Sequence, residues 1–442
     1  MEKRTTVVVQ SPIGTRSGYG ERSRDFVRAL IALDKYDVKL IPTRWGSTPM
    51  NVLTDKDSDI TSRIVTQLTE QPEVFIQITI PNEFQPIGKY NIGVTAGIET
   101  TQCSPQFLEG CNRMNLVLAS SEHTKWVFEN SKYDMINEQT KQKMGELKLT
   151  TPVEVLFEGI NLDIFKKLDS VGNTELNKTM AGIKEDFCYL FVGHWLPGDF
   201  GEDRKNVSGL IRAFLETFKN KMNPPALVLK TSMGAPSIMD KLEIEKRIKV
   251  IKQSIQATSL PPIYLVYGDL TDEEMNELYN HPKIKAHVSF TRGEGYGRPL
   301  AEAAVTGKPI IVSDFSGHKD FLPEDMVFYI PGQLTNVHPS AANDWLMKEA
   351  QWFTVDYGVG MGLMKDIEKN YKKALEKSRK TYHHIKTNFS FDKMREKLDS
   401  ILTERIPEFP KEVKLKLPQL KKVGAAPAEP KKIQLPKLKK VE

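Results

Sequence analysis

The sequence predicts an α/β protein with two domains, each built on a parallel β-sheet with helices on both faces. Apolar segments of strand length alternate with segments of helical periodicity along most of the chain. A polar segment without apolar periodicity, residues 166–186, divides this pattern into two series and is predicted to be the linker between domains. A chain of 442 residues is long enough for two such domains with separate cores.

The first series defines an N-terminal domain, residues 1–165. A turn-rich loop, residues 11–20, follows its first strand, and apolar residues then recur at helical spacing over residues 26–33. Residues 120–125 are predicted to cap a further helix. The predicted strands are residues 5–10, 38–41, 74–80, 91–95, 116–119 and 153–157.

The second series defines a C-terminal domain, residues 185–387. Its predicted strands are residues 187–192, 226–230, 263–267, 286–290, 310–313 and 327–330. Its predicted helices are residues 208–218, 240–255, 272–279, 300–305 and a long charged helix over 363–381. One more helix is predicted over residues 389–402.

Composition and cysteine usage are typical of a soluble, cytoplasmic protein. Hydrophobic residues make up 39% of the chain and charged residues 27%. No apolar run approaches the roughly 18 residues that a membrane helix needs, and the apolar stretch near the N-terminus is too short for a signal peptide. Three cysteines without a C-x-x-C motif favour a reducing compartment over a disulfide framework.

The C-terminal segment, residues 405–442, differs in composition from the rest and is predicted to be a disordered tail. Ten lysines and three glutamates in residues 411–442 give it a charge of +7, which leaves −2 on the rest of the chain. A Lys-rich motif at residues 414–423 recurs at 432–441. The repeat favours a linear motif that binds a polyanion or a protein partner; the alternative is a solubilising tail.

The most informative segment of the sequence lies between residues 291 and 309. Glu294 and Glu302 stand eight positions apart, with Gly295 and Gly297 between them and Pro299 at a predicted helix start. Both carboxylates could accept hydrogen bonds from hydroxyl groups while free N–H groups of the helix hold a diphosphate. This pattern indicates a nucleotide-sugar site; the alternative is an ordinary strand–turn–helix with two solvated acids.

This segment resembles the donor signature of family 4 retaining glycosyltransferases, E-x7-E within an EGFGLPxxEAxAxGxP block. In that family the first Glu contacts the donor sugar, the second binds the ribose, and glycine amides help to hold the phosphates. The resemblance implies these roles for Glu294, for Glu302, and for Gly295 with Gly297. We also expect Tyr296, within the same block, to contribute to donor binding.

The same resemblance implies a GT-B architecture, in which two Rossmann-like domains face each other across a cleft. Residues 1–165 would then be the acceptor domain and residues 185–387 the donor domain. In that family the terminal helix crosses back to the first domain, and residues 388–404 are expected to do so here.

Basic residues after the first strand of the second series resemble the family's VGRL…RKN element, in which Arg and Lys neutralise the donor diphosphate. Lys205 matches the Lys of that element. His194 stands where the family has Arg, so Arg204 or Lys230 is the candidate for the second cation. The alternative for Lys205 is a solvated lysine at a helix start.

Two loops of the first domain are candidates for the acceptor side of the cleft. Residues 93–100 resemble a block found in a subset of the family, which implies that Glu99 faces the reacting sugar; the alternative is a loop acid or helix cap. Gly14, Gly18 and Gly20 lie in a loop that borders the cleft in that family, and a structural turn is the alternative. A dinucleotide site is less supported, because the spacing is GxxxGxG and no acid ends the second strand.

No metal or other cofactor is expected. Asp57 and Asp59 form a D-x-D motif, the type that binds metal in GT-A glycosyltransferases, but they lie in a polar loop and are predicted to be solvated acids. No His/Cys group has the spacing of a zinc site.

The predicted function is retaining transfer of a sugar from a UDP- or GDP-sugar to a glycan, a protein or modified DNA. In such a reaction the leaving diphosphate assists front-side attack, and no side chain need act as a covalent nucleophile. One alternative is a DNA glycosyltransferase acting on modified bases in the host cytoplasm, because residues 17–46 look like those of phage-encoded members and the tail is basic. Another is a catalytically silent GT-B module that binds a partner through its tail.

Overall fold

The computed structural model describes residues 4–410, except residues 47, 173 and 235. Residues up to Pro407 form one compact unit. The tail motifs at 414–423 and 432–441 lie outside the described residues.

The first half of the compact unit contains a six-stranded sheet in which all strands are parallel. Its elements are β1 (Thr5–Ser11), α1 (Gly18–Ala32), β2 (Tyr36–Pro42), α2 (Ser58–Thr61), β3 (Val74–Ile78), β4 (Tyr90–Val94), α3 (Pro105–Asn112), β5 (Leu116–Ala119), α4 (Glu122–Asn130), β6 (Lys132–Ile136), β7 (Lys143–Lys148) and β8 (Val153–Val155). The strand order is β2-β1-β3-β4-β5-β8. As predicted, a serine caps α4: the Ser121 hydroxyl accepts from the Thr124 N–H.

The second half contains a second six-stranded parallel sheet. Its elements are α5 (Glu175–Ala181), β9 (Cys188–Val192), α6 (Val207–Phe218), β10 (Ala226–Lys230), α7 (Ile238–Gln253), β11 (Ile263–Val266), α8 (Asp272–Asn280), β12 (Ile284–Ser289), α9 (Arg298–Ala304), β13 (Ile310–Ser313), β14 (Phe328–Ile330), β15 (Gly332–Asn336), β16 (Gln351–Val355), α10 (Tyr357–Lys369), α11 (Tyr371–Ser378) and α12 (Thr381–Asn388). The strand order is β11-β10-β9-β12-β13-β14.

The predicted fold class is therefore confirmed: both sheets are parallel and all twelve predicted strands are present. Parallel sheets are covered by helices on both faces, so their strands read as continuous apolar runs, and these runs made the strands visible in the sequence. Two antiparallel hairpins, β6–β7 and β15–β16, lie outside the large sheets and were not predicted. The residues of β6–β7 are largely exposed, and polar side chains interrupt the apolar ones, so no continuous apolar run marks the hairpin.

One helix was not predicted, and one prediction about local structure is wrong. The segment 166–186, predicted to be the linker between domains, contains α5, with Leu176 and Met180 buried one helical turn apart. The long helix predicted over 363–381 is divided among α10, α11 and α12. Asn370 has φ −115° and ψ 38°, outside the helical range, and its side-chain amide donates to the Asp366 carboxylate. The helix α10 therefore ends before Asn370.

The final helix, α13 (Phe391–Arg405), packs against α1 of the first half. Its buried residues Met394, Leu398 and Leu402 recur at helical spacing on one face. Ile160 exchanges backbone hydrogen bonds with the residues on either side of Ser390: its N–H donates to the Phe389 carbonyl at 2.9 Å, and its carbonyl accepts from the Phe391 N–H at 2.9 Å. The chain thus passes from the second half back to the first.

None of the helices within residues 4–410 combines the length and the apolar character needed to cross a bilayer.

Candidate active site

Backbone contacts between two loops bring the halves together. A side-chain Cβ on Gly295 would lie 2.2 Å from the Ala96 carbonyl oxygen, so only glycine fits at this contact. The Ser120 hydroxyl donates to the Gly295 carbonyl at 3.1 Å. We predicted that the missing Cβ of Gly295 leaves room for a ligand, but its close neighbour here is the backbone of the first half.

Glycine is also required at residue 297, which precedes α9 with φ 100° in the left-handed region. The following helix is short, with seven residues from Arg298 to Ala304. Glu294 therefore lies on the loop before α9, and Glu302 lies within the helix, as the sequence predicts.

The structure brings together the four residues predicted to be catalytic. Lys205 Nζ lies 2.5 Å from both carboxylate oxygens of Glu294. Arg204 Nη2 lies 3.2 Å from Glu99 Oε1, and Arg204 Nη1 lies 3.9 Å from Glu294 Oε2. Glu99 comes from the loop after β4 of the first half, whereas the other three belong to the second half. The result is a compact cluster of two acids and two bases where the halves meet.

The backbone before α6 directs Lys205 toward this cluster. Asn206 has φ 51°, a left-handed conformation that Asn adopts more readily than most residues. Its side chain is held on both sides: the amide donates to the Phe290 carbonyl at 3.2 Å, and Oδ1 accepts from the Tyr357 hydroxyl at 2.9 Å. These bonds fix the turn that carries Lys205.

The cations of the cluster stabilise the ionised form of its buried acid Glu294. Burial opposes ionisation of Glu294, yet Lys205 and Arg204 outweigh it and hold the pKa of that carboxyl below its usual value. Glu294 is therefore an ionised acid in a largely buried place, paired with a buried lysine. Such a pair is costly to break, because either partner alone would be an uncompensated buried charge.

Glu302 lies in a separate buried group. Its Oε2 accepts from the Tyr279 hydroxyl at 3.0 Å, and its Oε1 accepts from Arg298 Nε at 3.0 Å. Burial, partly opposed by Arg298, raises the pKa of Glu302 to about 8. Sequence reasoning missed both partners. Arg298 stands four positions before Glu302 on one helix, which was a usable signal; nothing in the sequence pointed to Tyr279.

Two further candidates for diphosphate binding, Lys230 and His194, contact other residues of the second half. Lys230 Nζ donates to the Gly268 carbonyl at 2.6 Å, and its nearest charged neighbours are Asp269 and Arg16. The Lys230 side chain thus does not join the Lys205 cluster. His194 Nδ1 lies 3.0 Å from the Ser232 hydroxyl. Burial, with the nearby cations, lowers the pKa of His194, so a neutral imidazole stands where the family has Arg.

Tyr296 does not point its side chain into the cleft. The ring is 2% exposed and packs against Phe321, with 4.7 Å between ring centroids. Its hydroxyl has no hydrogen-bond partner among the described residues. The Tyr296 ring therefore fills the core behind the loop, and a contribution of this residue to donor binding stays a prediction.

The glycine-rich loop of the first half lies between β1 and α1, as expected. Gly18 is the first residue of α1, and an added Cβ there would meet no atom within 4 Å, whereas at Gly14 it would approach Met50 and at Gly20 the Thr15 carbonyl. Beside this loop the ring of Tyr19 stacks on Trp45 at 4.1 Å.

Tyr19 also connects the glycine-rich loop to the loop that carries Glu99. Its hydroxyl lies 3.0 Å from the Thr95 hydroxyl and accepts from the Ala96 N–H at 3.2 Å. The stacked aromatic pair therefore stands close to the charged cluster on the side of the first half.

Asp57 and Asp59 are both engaged by one arginine. Asp57 Oδ1 lies 2.5 Å from Arg28 Nη2, and Asp59 Oδ2 lies 3.6 Å from Arg28 Nε. Asp57 also accepts from the Thr54 N–H at 2.8 Å, which caps a short 3-10 turn. Within the part of the chain that the structure describes, no group of three or more His, Cys, Asp or Glu side chains is arranged to hold a metal ion.

The cavity beside the cluster is small. It is lined by Lys205, Glu294, Tyr279, His287 and Ser289, among others, and offers about 20 Å³ to water-sized molecules. That is room for about one water molecule, whereas ligand sites usually enclose at least about 300 Å³. In the described conformation this cavity is too small for a nucleotide sugar.

Comparison with known proteins supports the fold. Residues 188–330 match the family model described as glycosyl transferases group 1. No curated protein sequence matches the chain. The structure resembles sucrose-phosphate synthase from Thermosynechococcus elongatus (TM-score 0.60, 12% identity, 91% of this chain and 99% of that one). It also resembles a glycosyltransferase from Rickettsia africae (TM-score 0.57, 14% identity, 92% and 100%).

A third similar structure is HepE from Anabaena in complex with UDP-glucose, with a TM-score of 0.57, 11% identity, and coverage of 91% of this chain and 100% of that one. At such identities the likeness concerns the fold. The protein therefore has the GT-B fold, and its group 1 match spans β9 through β14 of the second half.

The buried pair leads to a prediction about stability. Lys205→Met removes the nearest cation from buried Glu294, leaves only Arg204 at 3.9 Å, and should lower the free energy of unfolding by about 3 kcal/mol. The double variant Lys205→Met/Glu294→Gln removes both charges and should regain most of that loss. Urea denaturation at pH 7 measures both. The control is Lys178→Met, which breaks the exposed pair with Glu175 and should leave the transition midpoint unchanged. A single variant as stable as the wild type would contradict the pairing.

Proposed function

We propose that this protein is a retaining glycosyltransferase that moves a sugar from a nucleotide diphosphate to an acceptor hydroxyl. One observation carries the proposal: Glu99, Arg204, Lys205 and Glu294 form one charged cluster where two Rossmann-like halves meet. Three of the four lie within the segment that matches group 1 glycosyl transferases. The resemblance of the Glu294–Glu302 block to family 4 supports the retaining outcome.

The cluster suits a reaction in which a diphosphate leaves. As the bond between sugar and phosphate breaks, negative charge grows on the leaving oxygen, and preorganised cations lower the barrier. Lys205 and Arg204 are the two cations. In the closed form Lys205 is neutralised by Glu294, so a bound diphosphate would take over Lys205.

The transfer of Lys205 from Glu294 to the diphosphate would leave Glu294 available to the donor sugar. Once Lys205 turns to the diphosphate, the Glu294 carboxylate can accept hydrogen bonds from hydroxyl groups of the donor sugar. Glu302, in the neighbouring group, would accept from the ribose hydroxyls. Glu99, contributed by the first half, would face the sugar from the acceptor side. No divalent ion has a role in this scheme.

The donor is expected to be a UDP- or GDP-sugar. HepE, which shares the fold, has been crystallised with UDP and with UDP-glucose, which favours a uridine nucleotide. Because the cavity beside Lys205 offers about 20 Å³, binding requires the loops around Ala96 and Gly295 to separate and then close over the donor.

The first prediction for this function separates the two acids. Glu302→Gln should weaken binding of UDP or GDP at least tenfold at pH 8.5, because an amide cannot accept two ribose hydroxyls as an ionised carboxylate does. Glu294→Gln should leave nucleotide affinity within about threefold and lower turnover by roughly 100-fold or more. Titration calorimetry and assays of nucleotide release measure these effects.

The matched control is Glu277→Gln, which alters a carboxylate of the same half bonded to Thr174 and Asn177. It should change neither quantity. Unaltered affinity and turnover in both Glu302→Gln and Glu294→Gln would remove the basis for the donor site.

A DNA glycosyltransferase is the second candidate, favoured by the stacked pair of Tyr19 and Trp45 beside the cluster. Aromatic faces bind unpaired bases by stacking. The basic tail would add affinity for a polyanion, and its two motifs on one chain would bind more tightly than one. A catalytically silent module is disfavoured, because Glu294, Glu302 and Lys205 are all present.

Truncation after Pro407 tests the second candidate. Because each neutralised phosphate releases counterions, the full chain should bind DNA at low salt and lose it steeply as salt rises. The truncated chain should bind DNA more weakly yet retain hydrolysis of the donor. If both forms bind DNA equally well, the nucleic-acid role of the tail is wrong, and a protein partner or a solubilising function is left.

A further inference from the structure

One buried arginine connects the two halves next to the donor site. Arg298 Nη1 lies 2.5 Å from Asp25 Oδ2 and 3.9 Å from Glu158 Oε2, both in the first half. Arg298 Nε lies 3.0 Å from Glu302 Oε1 and 3.3 Å from Glu21 Oε2. The guanidinium thus touches four carboxylates, three from the first half and one from the second.

These contacts are largely closed to water. The side chain of Arg298 is 11% exposed, that of Asp25 14% and that of Glu302 9%, whereas that of Glu21 is 33% exposed. Coulomb interactions are much stronger in such a place than at the surface. The pairs between Arg298 and the first half therefore carry weight that a surface salt bridge would lack.

Arg298 faces four acids, and one of them, Glu21, opposes the ionisation of Glu302. Glu21 is the nearest competitor for Arg298 Nε, and burial raises the pKa of Glu21 while Arg298 opposes that rise. Other charged or titratable groups also face the pair: Asp272 and Tyr279 from α8, and Arg24 from α1. Arg22, also on α1, faces Glu158.

Glu302 and Glu21 thus share one donor atom across the boundary between the halves. Separation of the halves would remove Glu21 and Asp25 from Arg298 and leave Glu302, four positions along the same helix. In the described conformation the guanidinium also contacts α1, and Glu302 lies between Arg298 and Tyr279. The charge and orientation of Glu302 consequently depend on residues of the other half.

We propose that Arg298 is a positioning residue that couples closure of the two halves to the readiness of Glu302 to receive the ribose of the donor. This inference rests on the proposed function, in which Glu302 accepts hydrogen bonds from the ribose hydroxyls. Arg298 favours the ionised form of Glu302 and orients its carboxylate, and Glu21 opposes ionisation. The affinity for nucleotide is therefore set by an arginine of one half and an acid of the other.

The test is the pH dependence of UDP binding, measured by titration calorimetry between pH 6.5 and 9.5. The folded pKa of Glu302 is about 8, so wild-type affinity should rise as pH increases through that value. Arg298→Gln removes the cation that favours ionised Glu302. The UDP affinity of this variant should fall about tenfold or more at pH 7.5, and the increase of affinity with pH should occur at higher pH than in the wild type. Glu21→Gln removes a like charge near Glu302. The UDP affinity of this variant at pH 7 should increase about fivefold, and the increase of affinity with pH should occur at lower pH than in the wild type.

Opposite shifts of the pH profile of UDP binding distinguish this proposal from a merely structural role. Loss of a merely structural contact would weaken UDP binding in both variants without shifting their pH profiles in opposite directions. The titration of UDP itself is common to all variants and cancels in the ratios. Matched controls are Asp34→Asn and Lys35→Gln, which break the exposed pairs with Arg4 and Asp399 near the other end of α1. Both should follow the wild-type profile.

Each outcome has a distinct meaning. If Glu302→Gln weakens UDP binding but Arg298→Gln and Glu21→Gln keep the wild-type profile, the coupling is overturned and the donor site stands. If wild type and Glu302→Gln bind UDP equally, the donor site itself is wrong. Should Arg298→Gln fail to fold, Glu21→Gln decides alone: an unshifted or upward-shifted profile overturns the proposal.

Discussion

The ion pair between Lys205 and Glu294 is the interaction on which the rest of the site depends. Two groups of opposite charge are buried where the halves meet, 2.5 Å apart, and neither can lose its partner cheaply. The left-handed turn at Asn206 and the glycine at 297 place the two side chains opposite each other. A bound diphosphate is a natural substitute partner for the lysine, so the resting pair and the proposed catalytic state use the same charges.

Closure of the cleft follows from a second constraint, the close approach of backbones. Gly295 lies against Ala96 where no side chain fits, and Arg298 joins α1 to α9 through buried ion pairs. Tight contacts of this kind assemble the site from both halves. They also restrict entry, because the cavity that remains has room for about one water molecule. In the proposed function, binding and release of a nucleotide sugar are therefore coupled to motion of the halves.

The twelve strands of the two sheets could be predicted from sequence because buried parallel strands are continuous apolar runs. The exposed hairpin β6–β7 and the helix α5 could not, because the first carries little apolar signal and the second buries only Leu176 and Met180. The break at Asn370 was missed because neither Gly nor Pro, the strongest breaking signals, stands there.

Within the site, the spacing of Glu294 and Glu302 and the adjacent Arg204 and Lys205 were visible as motifs. The ion pairs between Arg298 and α1 were not visible, because Asp25 and Arg298 lie far apart in sequence and meet only in the folded chain. Spacing along a loop also cannot tell which way a side chain points. For that reason the burial of the Tyr296 ring in the core could not be predicted.

The most direct measurement is mass spectrometry of the purified protein incubated with a panel of UDP- and GDP-sugars. We expect release of free nucleoside diphosphate from at least one donor, with slow transfer of the sugar to water when no acceptor is added. Release should fall at least about 100-fold in the Lys205→Met/Glu294→Gln variant, which retains the fold but lacks the charged pair. Intact donors throughout the panel, or equal release by wild type and double variant, would contradict a catalytic role for this site.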